Sequence, residues 1–121
     1  NVGGDGSYPS DDQGLYDLSL NPADKGFFRP QSLRNIELTA PYMHDGSIAT
    51  LREVIEHYAR GGSLTESGIN AGDGRLSPLK SGLIQGFDAT DEEIDAVIAF
   101  LESLTDEEFI TSPKFSNPFE E

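Results

Sequence analysis

Two side chains in this sequence combine reactive chemistry with an informative position, His44 and Tyr58. His44 stands immediately before Asp45-Gly46, a turn pair, so it belongs on a loop and not on the apolar face of a helix. An imidazole there can move protons near neutral pH or bind a metal ion; the plain alternative is a side chain that is exposed or bonded to backbone. Tyr58 offers a phenol, an oxygen that can donate or accept a hydrogen bond. Its plain alternative is a packing residue that closes the apolar stripe of a helix. Met43, beside His44, is the only methionine and hence the only thioether donor. The second histidine, His57, should face away from that stripe and lie at the surface.

Composition limits the rest. The chain has 121 residues and no Cys, which excludes disulfides, thiolate metal sites and a haem-attaching C-x-x-C-H within it. A formal charge of −14 argues against nucleic acid, because phosphate binding needs Lys and Arg to release counterions. It equally disfavours an anionic membrane surface and favours attraction to basic partners. No apolar run approaches membrane-spanning length, so no membrane insertion is expected. The start at Asn1-Val2-Gly3-Gly4 reads as a processed, cleaved or partial product.

The elements that would position these residues are short. Thr50-Leu51-Arg52-Glu53 is a capping box, and Leu51, Val54, Ile55 and Tyr58 follow on one helix face, with Gly61-Gly62 as the stop. Thr90-Asp91-Glu92-Glu93 is a second capping box. It leads into an amphipathic stripe of Ile94, Val97, Ile98, Leu101 and Leu104, with acidic residues where the helix dipole favours them. Residues 1–30 are punctuated by Gly and Pro, and Leu15, Tyr16, Leu18 and Leu20 make at most a short extended or one-turn segment. Residues 61–89 return to loop, with Leu76, Leu79, Leu83, Ile84 and Phe87 as scattered anchors. The acidic run Asp5 to Asp12 has no EF-hand pattern and reads as a solvated face. The fold expected is all-α, short helices joined by long ordered loops. With 13 Gly and 7 Pro and so few helices, it buries little apolar surface unaided, a deficit that a large apolar group such as a porphyrin would fill.

The stretch Pro30 to Tyr58 carries a resemblance. Ser32-Leu33-Arg34-Asn35 and Thr39-Ala40-Pro41-Tyr42-Met43-His44-Asp45-Gly46 resemble the "P-x-L-R-N" and "T-x-P-Y-[FM]-H-D-G" signatures of the bacterial di-haem cytochrome c peroxidase family. The residues from Ala49 to Ile55 and from Thr90 to Thr105 are similar to that family's last helices. The likeness covers roughly residues 25–106, and its register is nearest the MauG-like branch. It implies the C-terminal half of a class I cytochrome c-like haem domain over residues 1–112, with a surface or disordered tail at 113–121.

Several site assignments follow from the resemblance alone. The family's distal methionine lies fourteen positions after the signature His, and here that register holds Tyr58, the ligand type of the MauG branch. His44 would stand near the haem of the C-terminal domain, between the two haem centres, as the catalytic His. Met43 would pack next to the haem, with iron ligation as its lesser alternative. Backbone carbonyls of Thr39 and Pro41 would bind a Ca²⁺ between haem domains, in keeping with the oxygen preference of that ion. Arg29 and Arg34 would meet haem propionates, because Arg pairs bidentately with carboxylates; a surface or structural ion pair is the alternative.

The function implied is a periplasmic di-haem oxidoreductase that uses H₂O₂ to oxidise a protein substrate through a Tyr-ligated haem c. Both haems would be attached outside this chain, by the remainder of the same protein. One alternative is a conventional di-haem peroxidase fed by a small redox protein. Another is a non-catalytic electron-transfer cytochrome fragment.

Overall fold

A computed structural model describes residues 12–68 and 71–116 of the chain. Its centre is the crossing of two helices, α2 (Leu51–Arg60) and α3 (Asp91–Glu102). Both begin in the expected capping boxes. The Thr50 hydroxyl accepts from the Glu53 amide and the Glu53 carboxylate accepts from the Thr50 amide; Thr90 and Glu93 repeat the arrangement. Each box satisfies two amides that a helix start otherwise leaves unpaired.

The stripes meet as their spacing requires. Leu51 and Ile55 of α2 pack with Ile94 and Leu101 of α3 and with Tyr42 from the preceding loop; these five are the buried core. Ile36, Ile48, Val54, Ile98 and Leu104 close around them. Val97 falls at the margin of the stripe, 43% exposed. Outside the core Arg52 bridges Asp91, Asp95 and Glu56. These pairs are exposed, and each contributes at most about 1 kcal/mol.

The signature loop is tied to the same core. Tyr42 and Ile48 form an antiparallel bridge, with the Tyr42 amide donating to the Ile48 carbonyl at 2.7 Å. Asn35 sits in the left-handed region at φ 59° and joins the chain beyond α3. Its amide donates to the Leu104 carbonyl at 3.2 Å and its side-chain oxygen accepts from the Asp106 amide at 2.6 Å. Thr105 adds a hydrogen bond to the Glu37 carboxylate at 2.9 Å.

Among the described residues the regular secondary structure is mostly helical. Within the 61–89 segment two short strands, β1 (Leu64–Thr65) and β2 (Gly72–Asp73), pair antiparallel, a small addition to a layout that is otherwise all-α as expected. The expected apolar anchors of that segment do not all anchor: Leu76 is 80% exposed, Leu83 94% and Phe87 54%, whereas Leu79 and Ile84 are half-buried. The one-turn segment is a helix, α1 (Tyr16–Ser19). An unanticipated helix, α4 (Glu107–Thr111), is capped by Asp106, and the tail continues as a 3₁₀ turn that stacks Phe115 on Phe109 at 4.6 Å. The acidic run Asp5 to Asp12 lies, except for Asp12, outside the described residues, as do residues 117–121 of the tail. No helix among the described residues is long and apolar enough to cross a membrane.

Candidate functional site

Helix α2 positions Tyr58. The buried part of its stripe ends at Ile55, so the ring one turn later emerges at the helix edge, 43% exposed and outside the core cluster. The packing role that spacing alone suggests for Tyr58 is therefore not what the fold gives it. Its ring meets His57 edge-on at 5.3 Å, and among the described residues its hydroxyl has no hydrogen-bond partner. It opens instead onto a concavity lined by Leu83, Ile84, Gln85, Gly86 and Phe87.

His57 differs from expectation. It is half-buried, not a surface residue, and the chain just past the helix stop comes back to it. Its Nδ1 lies 2.6 Å from the Ser63 hydroxyl. Burial holds its pKa below the usual histidine value, and the nearby Arg60 charge acts in the same direction. A second concavity opens on this side, with Glu53, Glu56, His57, Arg60 and Ser63 in its wall.

His44 is exposed on its loop, and Phe28 stacks on its ring, with centroids 3.9 Å apart and planes 20° from parallel. Sequence reading missed Phe28; the one signal was an aromatic pair, Phe27-Phe28, inside a Gly- and Pro-rich stretch. Asp45 completes the turn by accepting from the Ser47 amide at 3.1 Å. Burial works to raise its pKa, but the Ser47 hydrogen bonds outweigh that and hold it below the usual carboxylate value. Met43 is half-buried with φ 71°. Among the described residues no ring contact or hydrogen bond joins His44 to Tyr58.

The other expected site residues separate. Arg34 reaches Asp106 at 3.8 Å with its side chain 63% exposed, so the ion-pair alternative is present and weak. Arg29 is exposed and has no ion pair among the described residues. The Thr39 hydroxyl donates to the Ile36 carbonyl at 2.9 Å. The carbonyls of Thr39 and Pro41 accept no hydrogen bond among the described residues, so both stay open to a hard cation. The described residues contain no cluster of three or more His, Cys, Asp or Glu side chains able to hold a metal.

Tested against a haem, these residues fit one face of it. An unpartnered phenol stands at the rim of an apolar concavity, with Leu83 and Phe87 presenting exposed hydrocarbon beside it. The attachment chemistry is not here, since the chain has no Cys.

The chain is similar to proteins of one kind. It is 44% identical over 94 residues to the cytochrome-c peroxidase IdrP1 of Pseudomonas sp. (strain SCT), a match covering 78% of this chain and 22% of the relative. It is 37% identical over 102 residues to the methylamine utilization protein MauG of Paracoccus denitrificans, covering 74% of this chain and 25% of the relative. A solved structure, of a MauG-like protein associated with microbial copper homeostasis, superposes with a TM-score of 0.89. That pair is 56% identical over 95% of this chain and 36% of the other. No family model matches. The chain thus spans between a fifth and a quarter of the length of these curated relatives.

Proposed function

The chain belongs to the family of the cytochrome-c peroxidases and MauG, and from that premise we propose that it is the distal half of a cytochrome c-like haem domain in a longer di-haem oxidoreductase. That protein would be periplasmic. It would take oxidising equivalents from H₂O₂ and pass them to a protein substrate or exchange them with an electron donor. On this reading residues 1–112 would make up the domain segment.

The observation that carries this reading is the unpartnered, exposed Tyr58 phenol at the family's ligand register. A haem c bound there supplies the redox centre. The residues of this chain orient and enclose it. Tyr58 presents an anionic oxygen, which favours the ferric and more oxidised states over the ferrous one. Leu83 and Phe87, exposed in this chain, would cover apolar surface beside it and exclude water. His44, held flat by Phe28, stands ready to exchange a proton. Arg29 and Arg34 would pair with haem propionates, and the weak pair of Arg34 with Asp106 leaves its guanidinium exchangeable. The carbonyls of Thr39 and Pro41 would hold a Ca²⁺.

The test is the absorption spectrum of the haem-loaded full-length protein. Wild type is expected to show a phenolate-to-iron band and no methionine-to-iron band in the near infrared, and Tyr58→Phe to lose the phenolate band. Coincident spectra of Tyr58→Phe and wild type would sink the ligand assignment. A methionine band in wild type would favour the conventional peroxidase that draws electrons from a small redox protein.

A further inference from the structure

The last turn of α2 is held more firmly than a helix end requires. The final carbonyls of a helix have no partner within it, and a glycine cap commonly supplies two. Here His57 and Tyr58 accept from the amides of Gly62 and Gly61 at 3.0 Å each. The next carbonyl, Ala59, accepts at 2.9 Å from the amide of Phe87, far along the chain. Gly86 makes that approach possible. Its φ is +85°, and a Cβ on it would lie 2.8 Å from the Ala59 oxygen and 3.4 Å from the Arg60 carbonyl. Gly61 answers from the helix side, where a Cβ would fall 3.2 Å from the Gly86 nitrogen. The turn is also tied by charge. Arg60 donates to the Gly62 carbonyl at 2.6 Å and to Asp73 of β2 at 3.2 Å, and Arg75 fixes the same carboxylate at 2.7 and 3.0 Å.

We propose that Gly86 and Asp73 are positioning residues for the Tyr58 phenol, a proposal that rests on the reading of Tyr58 as an iron ligand. A ligand side chain has to be held within about 0.5 Å of its working geometry by groups that are themselves fixed. The turn that carries Tyr58 is tied both by the backbone pair Gly86–Phe87 and by the Arg60–Asp73–Arg75 array. Gly86 serves twice, because it also lines the concavity onto which the phenol opens.

The experiment compares four variants of the haem-loaded full-length protein: Tyr58→Phe, Gly86→Ala, Asp73→Asn and Gly82→Ala. The readouts are the phenolate band and the reduction potential, with haem content and melting as controls for folding. Gly86→Ala is expected to lose most of the band and to raise the potential, because a loosened phenolate stabilises ferric iron less. Asp73→Asn should move both readouts part of the way in the same direction. Gly82→Ala should match wild type, since a Cβ there meets nothing within 4 Å. If Tyr58→Phe abolishes the band while a folded Gly86→Ala and Asp73→Asn keep it whole, the positioning role is wrong and the ligand assignment survives. If Tyr58→Phe leaves the band intact, the ligand assignment falls and takes this inference with it. Should Gly86→Ala fail to load haem, Asp73→Asn decides by the same criterion.

Discussion

Tyr42 and Tyr58 carry the same phenol into opposite surroundings. The Tyr42 ring is 9% exposed, and its hydroxyl donates to the Ile36 carbonyl at 3.2 Å and stands 3.4 Å from that of Glu37. Burial, helped by the negative Glu37, pushes its pKa above the usual tyrosine value, so it remains a neutral anchor of the signature loop. Tyr42→Phe should cost about 1 kcal/mol, the net worth of a hydrogen bond whose acceptors keep access to water, and leave the haem spectrum unchanged; denaturant melts together with that spectrum check it. Asp73 gives a prediction of different sign structure. The side-chain hydrogen bond from Arg75 is the main cause lowering its pKa from 3.8 to about 2, against an opposing contribution from burial. A carboxylate with a depressed folded-state pKa stabilises the fold above its unfolded value and loses that contribution as pH falls through the folded one. The stability gap between wild type and Asp73→Asn should thus be full above about pH 4 and close on the way to about pH 2. A gap that stayed constant across that range would mean that the carboxylate charge is not what holds the turn.

At the scale of the element, α2 and α3 owe their existence to local signals and their position to the apolar contact between them. Ile55→Ala should cost about 2–5 kcal/mol, the range for an excavated core aliphatic, whereas Thr90→Ala should cost about 1 kcal/mol, the worth of a cap. Equilibrium unfolding of both variants tests that ordering, and a cap loss equal to the core loss would overturn it. This division also explains what could be read in advance. Both capping boxes and both stripes were legible because their periods are local, and the family signature supplied the register that singles out Tyr58. The pairing of β1 with β2 was not legible, since two-residue strands show no alternation. Their register depends on Gly62 and Gly74 coming together and on Arg60 finding Asp73, neither of which the sequence announces. His57 meets Ser63, one residue before β1, and that contact was no more legible than the hairpin itself. Helix α4 could have been found, because Asp106 stands in the capping position before Glu107 and Glu108. Phe28 could not, because its contact with His44 spans sixteen positions of irregular chain.

For the whole molecule, the balance of buried and exposed surface is the informative quantity. No side chain among the described residues is completely buried, and the core comprises five residues, each 6–9% exposed. Against this, Leu18 is 86% exposed, Leu76 80% and Leu83 94%, with Phe87, Phe100 and Phe115 each more than half exposed. Burying one such side chain is worth about 1.5–3 kcal/mol, so leaving this many in water forgoes a sum comparable with the entire stability of a small domain. Folded chains rarely tolerate that unless the surface meets something. A formal charge of −14 keeps such a chain dissolved without covering its apolar faces. The 121-residue chain by itself should therefore bind a hydrophobic dye such as ANS and melt over a broad range without a sharp transition. The same residues within the haem-loaded full-length protein should exclude the dye and melt cooperatively. The comparison is informative in both directions. Dye binding that disappears on assembly identifies the exposed leucines and phenylalanines as the contact with haem and with the rest of the protein. A sharp melt and no dye binding by the isolated chain would mean that the two crossed helices suffice, and the reading of this chain as half of a haem domain would fall.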